Sequence, residues 1–211
     1  MKILIISNGT IENKNILINS VDEADFIICA DGGAKYFIDL NIYPDIIVGD
    51  LDSIDEKVLS FMKKKNIKFY KFSTRKDKTD TELALDYAVE MGAKEITLLG
   101  AVGTRIDHTL ANIMLLKRLL KKGVKSKIIN NYNEIYITDS YLMLEGTEGY
   151  YISLIPLTEV VKGVTLRGFE YETTDKDFNM DSSFGISNKI INKKGEISIK
   201  EGTCLVIKSR D

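Results

Sequence analysis

The sequence predicts an α/β fold: an N-terminal, mostly parallel, doubly wound sheet over residues 1–132, followed by a C-terminal all-β, sandwich-like domain over residues 133–211. Two observations carry this. Up to about residue 130, short apolar runs alternate with helical patterns, the mark of repeated βα units. Beyond it, β-branched and aromatic runs follow one another with only Gly, Asn, Asp and Lys turns between them, and no long helical stripe appears. A chain of 211 residues is long enough for two small domains or one large one.

Taken in order, the apolar runs at residues 3–6, 26–29, 46–48, 67–72, 96–99 and 127–129 predict six strands. Helical patterns fall at residues 34–40, 56–65, 79–91 and 108–122. The third has the clearest start: Thr79 and Glu82 form a T-x-x-E capping box, Leu83, Ala84, Tyr87, Ala88 and Met91 make an apolar stripe, and Gly92 is the stop. In the second half, strands are expected at residues 134–138, 141–144, 151–155, 161–167, 189–191, 196–199 and 204–208. Residues 175–185 form a polar interruption that predicts a loop. There is no internal repeat and no low-complexity segment.

Composition narrows the function. With 44% hydrophobic and 28% charged residues the chain reads as soluble and globular, and a net charge of -2 offers no basic footprint for nucleic acid or for an anionic membrane. Cys29 and Cys204 match no metal-site spacing and read as reduced core residues. The N-terminal apolar run, Ile3 to Ile6, is too short for a signal peptide or a membrane span, so a cytoplasmic location is expected.

The chemistry gathers where predicted strands end. Residues 46–48 lead into Gly49-Asp50-Leu51-Asp52-Ser53. If the strand stays extended there, Asp50 and Asp52 point the same way and present two carboxylates at its carboxyl end, where open α/β sheets bind ligands. Adjacent carboxylates repel unless a cation lies between them, and a hard divalent ion such as Mg2+ suits oxygen donors. A solvated acidic turn is the equal alternative on this stretch alone.

Other strand ends add to it. Asp31-Gly32-Gly33 follows the second strand and suits either a tight turn or close approach to phosphate. Asp77 and Asp80 flank the capped helix start, where the helix dipole already favours a carboxylate by roughly 0.3–1 kcal/mol. After the fifth strand comes Gly100-Ala101-Val102-Gly103-Thr104-Arg105-Ile106-Asp107-His108, a flexible loop that is not a P-loop. Arg105 suits bidentate phosphate contact, and Asp107 suits either the cap of the next helix or a ligand carboxylate. His108, the only histidine, excludes multi-histidine metal sites. Four strand ends with aspartates on one sheet edge point to a common metal and phosphate site.

These segments, with Lys76-Asp77-Lys78-Thr79-Asp80-Thr81-Glu82, Ser153-Leu154-Ile155-Pro156-Leu157 and Gly185-Ile186-Ser187-Asn188, resemble the ordered signature set of thiamine pyrophosphokinases across nearly the whole chain. The resemblance implies Mg2+-dependent transfer of a pyrophosphoryl group from ATP to the thiamine hydroxyl, releasing AMP. It also implies a homodimer with thiamine bound where the subunits meet. By position, Asp50, Asp52 and Asp80 would hold Mg2+; Asp31, Gly32, Gly33, Gly100, Gly103, Thr104, Arg105, Asp107 and His108 would face ATP; and Thr79, Ser187 and Asn188 would meet thiamine. Asp77 or Asp80 would accept the hydroxyl proton and Arg105 would stabilise developing phosphate charge. The chain lacks the tryptophan on which some members stack thiamine, leaving Tyr171, Phe178 and Phe184 as aromatic candidates. The competing classes are another Mg2+-dependent phosphohydrolase or sugar-nucleotide transferase, which would not release AMP, and a noncatalytic nucleotide or thiamine sensor, which would bind without turnover.

Overall fold

The structure, a computed structural model, describes residues 1–38, 40, 42–52, 54–71 and 77–211. Ser53, the last residue of the predicted fourth strand (Phe72) and the Arg75-Lys76 pair lie outside the described residues. Two compact units divide the chain at Asn131 and Tyr132.

In the first unit, β1 (Lys2–Ile6), α1 (Lys14–Asp22), β2 (Phe26–Ala30), a 3-10 helix (Asp31–Phe37), β3 (Ile46–Gly49), α2 (Glu56–Lys64), β4 (Lys68–Lys71), α3 (Asp80–Glu90), β5 (Glu95–Leu99), α4 (Ile106–Lys121) and β6 (Lys125–Ile129) follow in order. The strands pair in parallel in the order β4-β3-β2-β1-β5-β6. Alternation sends Leu4, Ile6, Ile27, Cys29 and Ile47 to one face, where they pack with Leu17 of α1, Phe37 of the 3-10 helix and Val58 and Met62 of α2. Helix α3 packs across β1, β2 and β3 and against α4. From β1 the chain steps outward in one direction through β4, and from β5 it steps in the other. Since parallel crossovers are right-handed, that reversal puts helices on both faces and makes the gap between β1 and β5 the switch point of the sheet.

Local chemistry explains the helix starts. Asn13 caps α1 by accepting from Asn15 N (2.9 Å), and Asp55 caps α2 by accepting from Lys57 N (2.8 Å). Thr79 Oγ1 accepts from Glu82 N at 3.2 Å, one half of the expected capping box. The Glu82 carboxylate goes instead to Arg118 of α4, whose guanidinium lies 2.9 Å from Glu82 and 3.0 Å from Asp86. Arg118 thereby ties α3 to α4.

The second unit contains β7 (Asn133–Thr138), β8 (Tyr141–Glu145), β9 (Tyr151–Pro156), β10 (Val160–Arg167), β11 (Thr173–Asn179), β12 (Lys194–Ser198) and β13 (Cys204–Ser209). β7-β13-β9 and β11-β10-β12-β8 are two antiparallel arrays. Their inner faces share one core that includes Ile152, Leu154, Val164, Phe178, Ile197, Cys204 and Val206. Both cysteines are free and buried, and no helix among the described residues is long and apolar enough to cross a membrane.

Four elements differ from the sequence reading. Helix α1 was not expected: it is Asn-rich and buries only Leu17, so its apolar stripe is faint. The helical pattern at 34–40 is realised as a 3-10 helix starting at Asp31. Residues 189–191 make no strand and contribute only an isolated bridge from Ile190 to Phe169. β11 runs into the expected loop at 175–185; as an edge strand with mostly exposed side chains, it shows no alternation to read.

Candidate active site

At the switch point the chain leaving β1 and the chain leaving β5 are stitched together. Ser7 N donates to Leu99 O (2.8 Å) and Gly9 N to Gly100 O (2.7 Å). Gly100 has φ +64°, and a Cβ there would meet Ser7 O at 2.4 Å, so only glycine fits. Beside this seam lies a cavity of about 460 Å³ lined by Ser7 to Thr10, Ala30, Asp31, Thr79 to Thr81, Gly100 to Arg105, His108, Thr109 and Asn112. Its wall is polar and apolar in about equal measure, with threonines and asparagines beside Ala30, Ala101 and Val102, and Asp31, Asp80 and Arg105 as charged groups.

Asp31, Asp50 and Asp52 each offer a carboxylate oxygen, and these lie within 4.8 Å of one another. Asp31 is buried, Asp50 half-buried and Asp52 exposed. The pair at 50 and 52 does not come from an extended strand, because β3 ends at Gly49. Leu51 has φ +72° and Asp52 N turns back to Asp50 Oδ1 (3.3 Å), so a left-handed turn brings the carboxylates together. Asp31 is also left-handed, φ +42°, and a Cβ on Gly49 would come within 3.0 Å of its own Cβ. Three hard oxygen donors fit Mg2+. Asp80, expected beside Asp50 and Asp52, is not in this group of three; it opens α3 on the cavity wall, as does its neighbour Thr79.

The loop after β5 is held from α4. Asn112 Nδ2 donates to Ala101 O (2.8 Å), and Thr109 Oγ1 bonds both Gly103 N (3.2 Å) and Gly103 O (3.3 Å). The residue capping α4 is Arg105, not Asp107, which sits within the first turn. Arg105 grips Asp107 with two bonds, Nη2 to Oδ2 at 2.6 Å and Nε to Oδ1 at 3.2 Å. The guanidinium holds the Asp107 carboxyl down at about 2, and the carboxylate in turn raises the Arg105 pKa. Both side chains are largely exposed, so this pair is poised at the rim rather than locked in the interior. Gly103, Thr104, Arg105 and His108 line the cavity, while Asp107 does not.

Of the remaining expected residues of the first unit, Gly32, Gly33 and Asp77 are not on the cavity wall. Gly32 and Gly33 are buried and serve packing: added Cβ atoms would meet the Asn8 side chain at 2.6 Å and Ile6 O at 2.5 Å. Asp77 is exposed, ahead of α3. In the second unit, exposed Ser187 has φ +61° and donates its N–H to Ser153 Oγ (3.1 Å). The buried Asn188 amide brackets Tyr171, accepting from its N–H (3.1 Å) and donating to its carbonyl (2.7 Å). Tyr171 and Phe184 are exposed, whereas Phe178 is a core residue. Sequence reasoning missed Ser7 to Thr10, Thr81, Thr109 and Asn112. Ser7-Asn8-Gly9 ends a strand like the other loops, but its place at the switch point follows from strand order alone.

Two family descriptions match the chain: "Thiamin pyrophosphokinase, catalytic domain" over residues 17–128 and "Thiamin pyrophosphokinase, vitamin B1 binding domain" over residues 135–204. The thiamine pyrophosphokinase of Bacillus subtilis is 33% identical over 192 residues, covering 90% of each chain. A crystal structure of the B. subtilis protein superimposes with a TM-score of 0.91 over 100% of both chains at 32% identity. A thiamin pyrophosphokinase structure from Geobacillus thermodenitrificans gives 0.88 at 30% identity, covering 100% of this chain and 98% of that one. A seam of glycines at the sheet's switch point, an aspartate triad beside it and matches that run through both units lead to one conclusion: the chain belongs to the thiamine pyrophosphokinase family.

Proposed function

We propose that this chain is a Mg2+-dependent thiamine diphosphokinase that transfers the pyrophosphoryl group of ATP to the hydroxyl of thiamine, giving thiamine diphosphate and AMP. The observation that carries the reading is the 460 Å³ cavity at the switch point with the buried Asp31 on its wall and Asp50 and Asp52 beside it, in a chain of this family. Residues 1–132 act as the catalytic, ATP- and Mg2+-binding domain and residues 133–211 contribute to thiamine binding and dimerisation. The active species is a homodimer with thiamine where the subunits meet, working in the cytoplasm with neither nucleic acid nor membrane as partner.

Asp31, Asp50 and Asp52 would hold Mg2+, with Asp80 facing the same space. When bound, the ion neutralises polyphosphate charge and polarises the β-phosphoryl group. The chain's own residues do the rest. The Gly100 to Arg105 loop, fixed by Asn112 and Thr109, wraps the nucleotide, with His108 at its edge, while Gly32 and Gly33 let the start of the 3-10 helix approach Asn8 and Ile6 and Gly49 packs against Asp31. Arg105 exchanges Asp107 for phosphate oxygens or stays paired beside them, placing a permanent cation where charge develops. Asp80, with Asp77 as the second candidate, accepts the thiamine hydroxyl proton; such a base contributes about 10²–10⁴-fold. Thr79 and Ser187 meet thiamine, and Asn188 acts there through its hold on Tyr171. Positioning and electrostatic stabilisation supply most of the effect in this kind of transfer.

Nucleotide chromatography on protein incubated with ATP, Mg2+ and thiamine tests the reading. AMP should accumulate only when thiamine and Mg2+ are both present. Thiamine-independent release of inorganic phosphate would place the chain among phosphohydrolases instead.

A further inference from the structure

Ser7, Asn8, Gly9 and Thr10 of the β1–α1 loop form one wall of the cavity; none of the four is charged, and the loop is held from behind by the 3-10 helix. Tyr36 and Lys35 do this with two hydrogen bonds each, and Tyr36 holds the backbone on both sides of Thr10. The Tyr36 hydroxyl donates to Gly9 O (2.5 Å) and accepts from Ile11 N–H (3.2 Å), so one oxygen closes the loop around Thr10. Lys35, the neighbouring residue, donates Nζ to Asn8 Oδ1 (2.8 Å) and Asn8 O (3.2 Å) and lies 5.0 Å from the centre of the Tyr36 ring. The other side of Gly9 is fixed too: its N–H bonds Gly100 O, and a Cβ would meet that oxygen at 2.3 Å.

The loop is therefore clamped between the seam and Tyr36, with its cavity side left to a ligand. Resting on the reading of this cavity as the ATP site, we infer that Tyr36 is a positioning residue for the nucleotide: it touches no substrate and sets the backbone of Asn8 to Thr10 that does. A side-chain hydroxyl bonded to a main-chain N–H and C=O fixes the loop on either side of Thr10, and a binding wall fixed beforehand loses less conformational entropy when its ligand arrives. The effect belongs to ground-state and transition-state binding alike, so it appears in KM rather than kcat.

The test is Tyr36→Phe, which keeps the ring and removes only the hydroxyl. Titration calorimetry with a methylene-bridged, non-transferable ATP analogue should show binding weakened roughly 3- to 10-fold, the scale of one or two lost hydrogen bonds. KM for ATP should rise by the same factor, with kcat at saturating ATP and KM for thiamine within about twofold of wild type. Unaltered analogue affinity in folded Tyr36→Phe, or a fall in kcat at unchanged KM, overturns the inference while leaving the ATP reading of the cavity standing. A wild-type protein that does not bind the analogue overturns both the inference and the ATP reading. If Tyr36→Phe does not fold, Lys35→Met loosens the same loop through Asn8 and decides by the same two outcomes.

Discussion

Asp80 begins α3 on the cavity wall, and replacing it with Asn removes a proton acceptor while keeping its size and its place in the first helical turn. Asp80→Asn should lower kcat by about 10²–10⁴-fold and leave the thermal midpoint near that of wild type; near-normal turnover would refute the role. Asp31→Asn should raise the Mg2+ concentration needed for half-maximal turnover by about tenfold or more, read from a Mg2+ titration at fixed ATP. The Arg105–Asp107 pair makes a pH prediction. Because the folded pKa of Asp107 is lowered from 3.8 to about 2, any stability the pair contributes is fully present above pH 4 and lost as pH falls through about 2. Urea unfolding of wild type and Asp107→Asn should therefore differ at pH 7 and converge near pH 2, by a small amount since both side chains are exposed. At this scale the sequence showed residue types better than their grouping. Asp50 and Asp52 do come together, but through a left-handed turn at Leu51 and not the extended strand that their spacing suggests, and Asp31 joins them only because β2 and β3 are neighbours, a fact of topology. Asp107 was misjudged as a possible cap because helix α4 starts a turn's fraction earlier, at Ile106, with no side-chain cap to announce it.

Elements were legible where local chemistry and apolar period agreed. Helix α3 had both, and the inner strands β1, β2 and β3 are continuous apolar runs because both faces of the sheet are covered there, whereas β4 and β6 carry lysines and are more exposed. Helix α1 has a cap in Asn13 but only a faint apolar stripe, strand β11 shows no alternation, and each buries few side chains. Two substitutions probe elements that present the site. Thr79→Ala removes the cap of α3 and should cost about 0.5–2 kcal/mol in denaturant unfolding, with turnover falling further than stability since Asp80 follows directly. Gly100→Ala forces a Cβ into the Ser7 carbonyl at a positive φ, so it should destabilise by more than about 1 kcal/mol and weaken ATP binding together.

For the whole molecule, the direction of chain travel on either side of β1 and β5 is what creates a binding crevice, and the aspartates and glycines gather around it. The sandwich core of the second unit, by contrast, explains its stability without revealing a ligand, although the unit matches the family's vitamin B1 binding domain. If the functional unit is a homodimer, sedimentation should give about twice the 23.8 kDa chain mass, and dilution below the dimer's dissociation constant should abolish thiamine turnover. The measurement that bears most directly on the central claim is phosphorus NMR of the purified protein with ATP, Mg2+ and thiamine, beside a control without thiamine. Thiamine-dependent appearance of AMP together with thiamine diphosphate is the predicted result. ADP with thiamine monophosphate, or thiamine binding with no turnover, would contradict it.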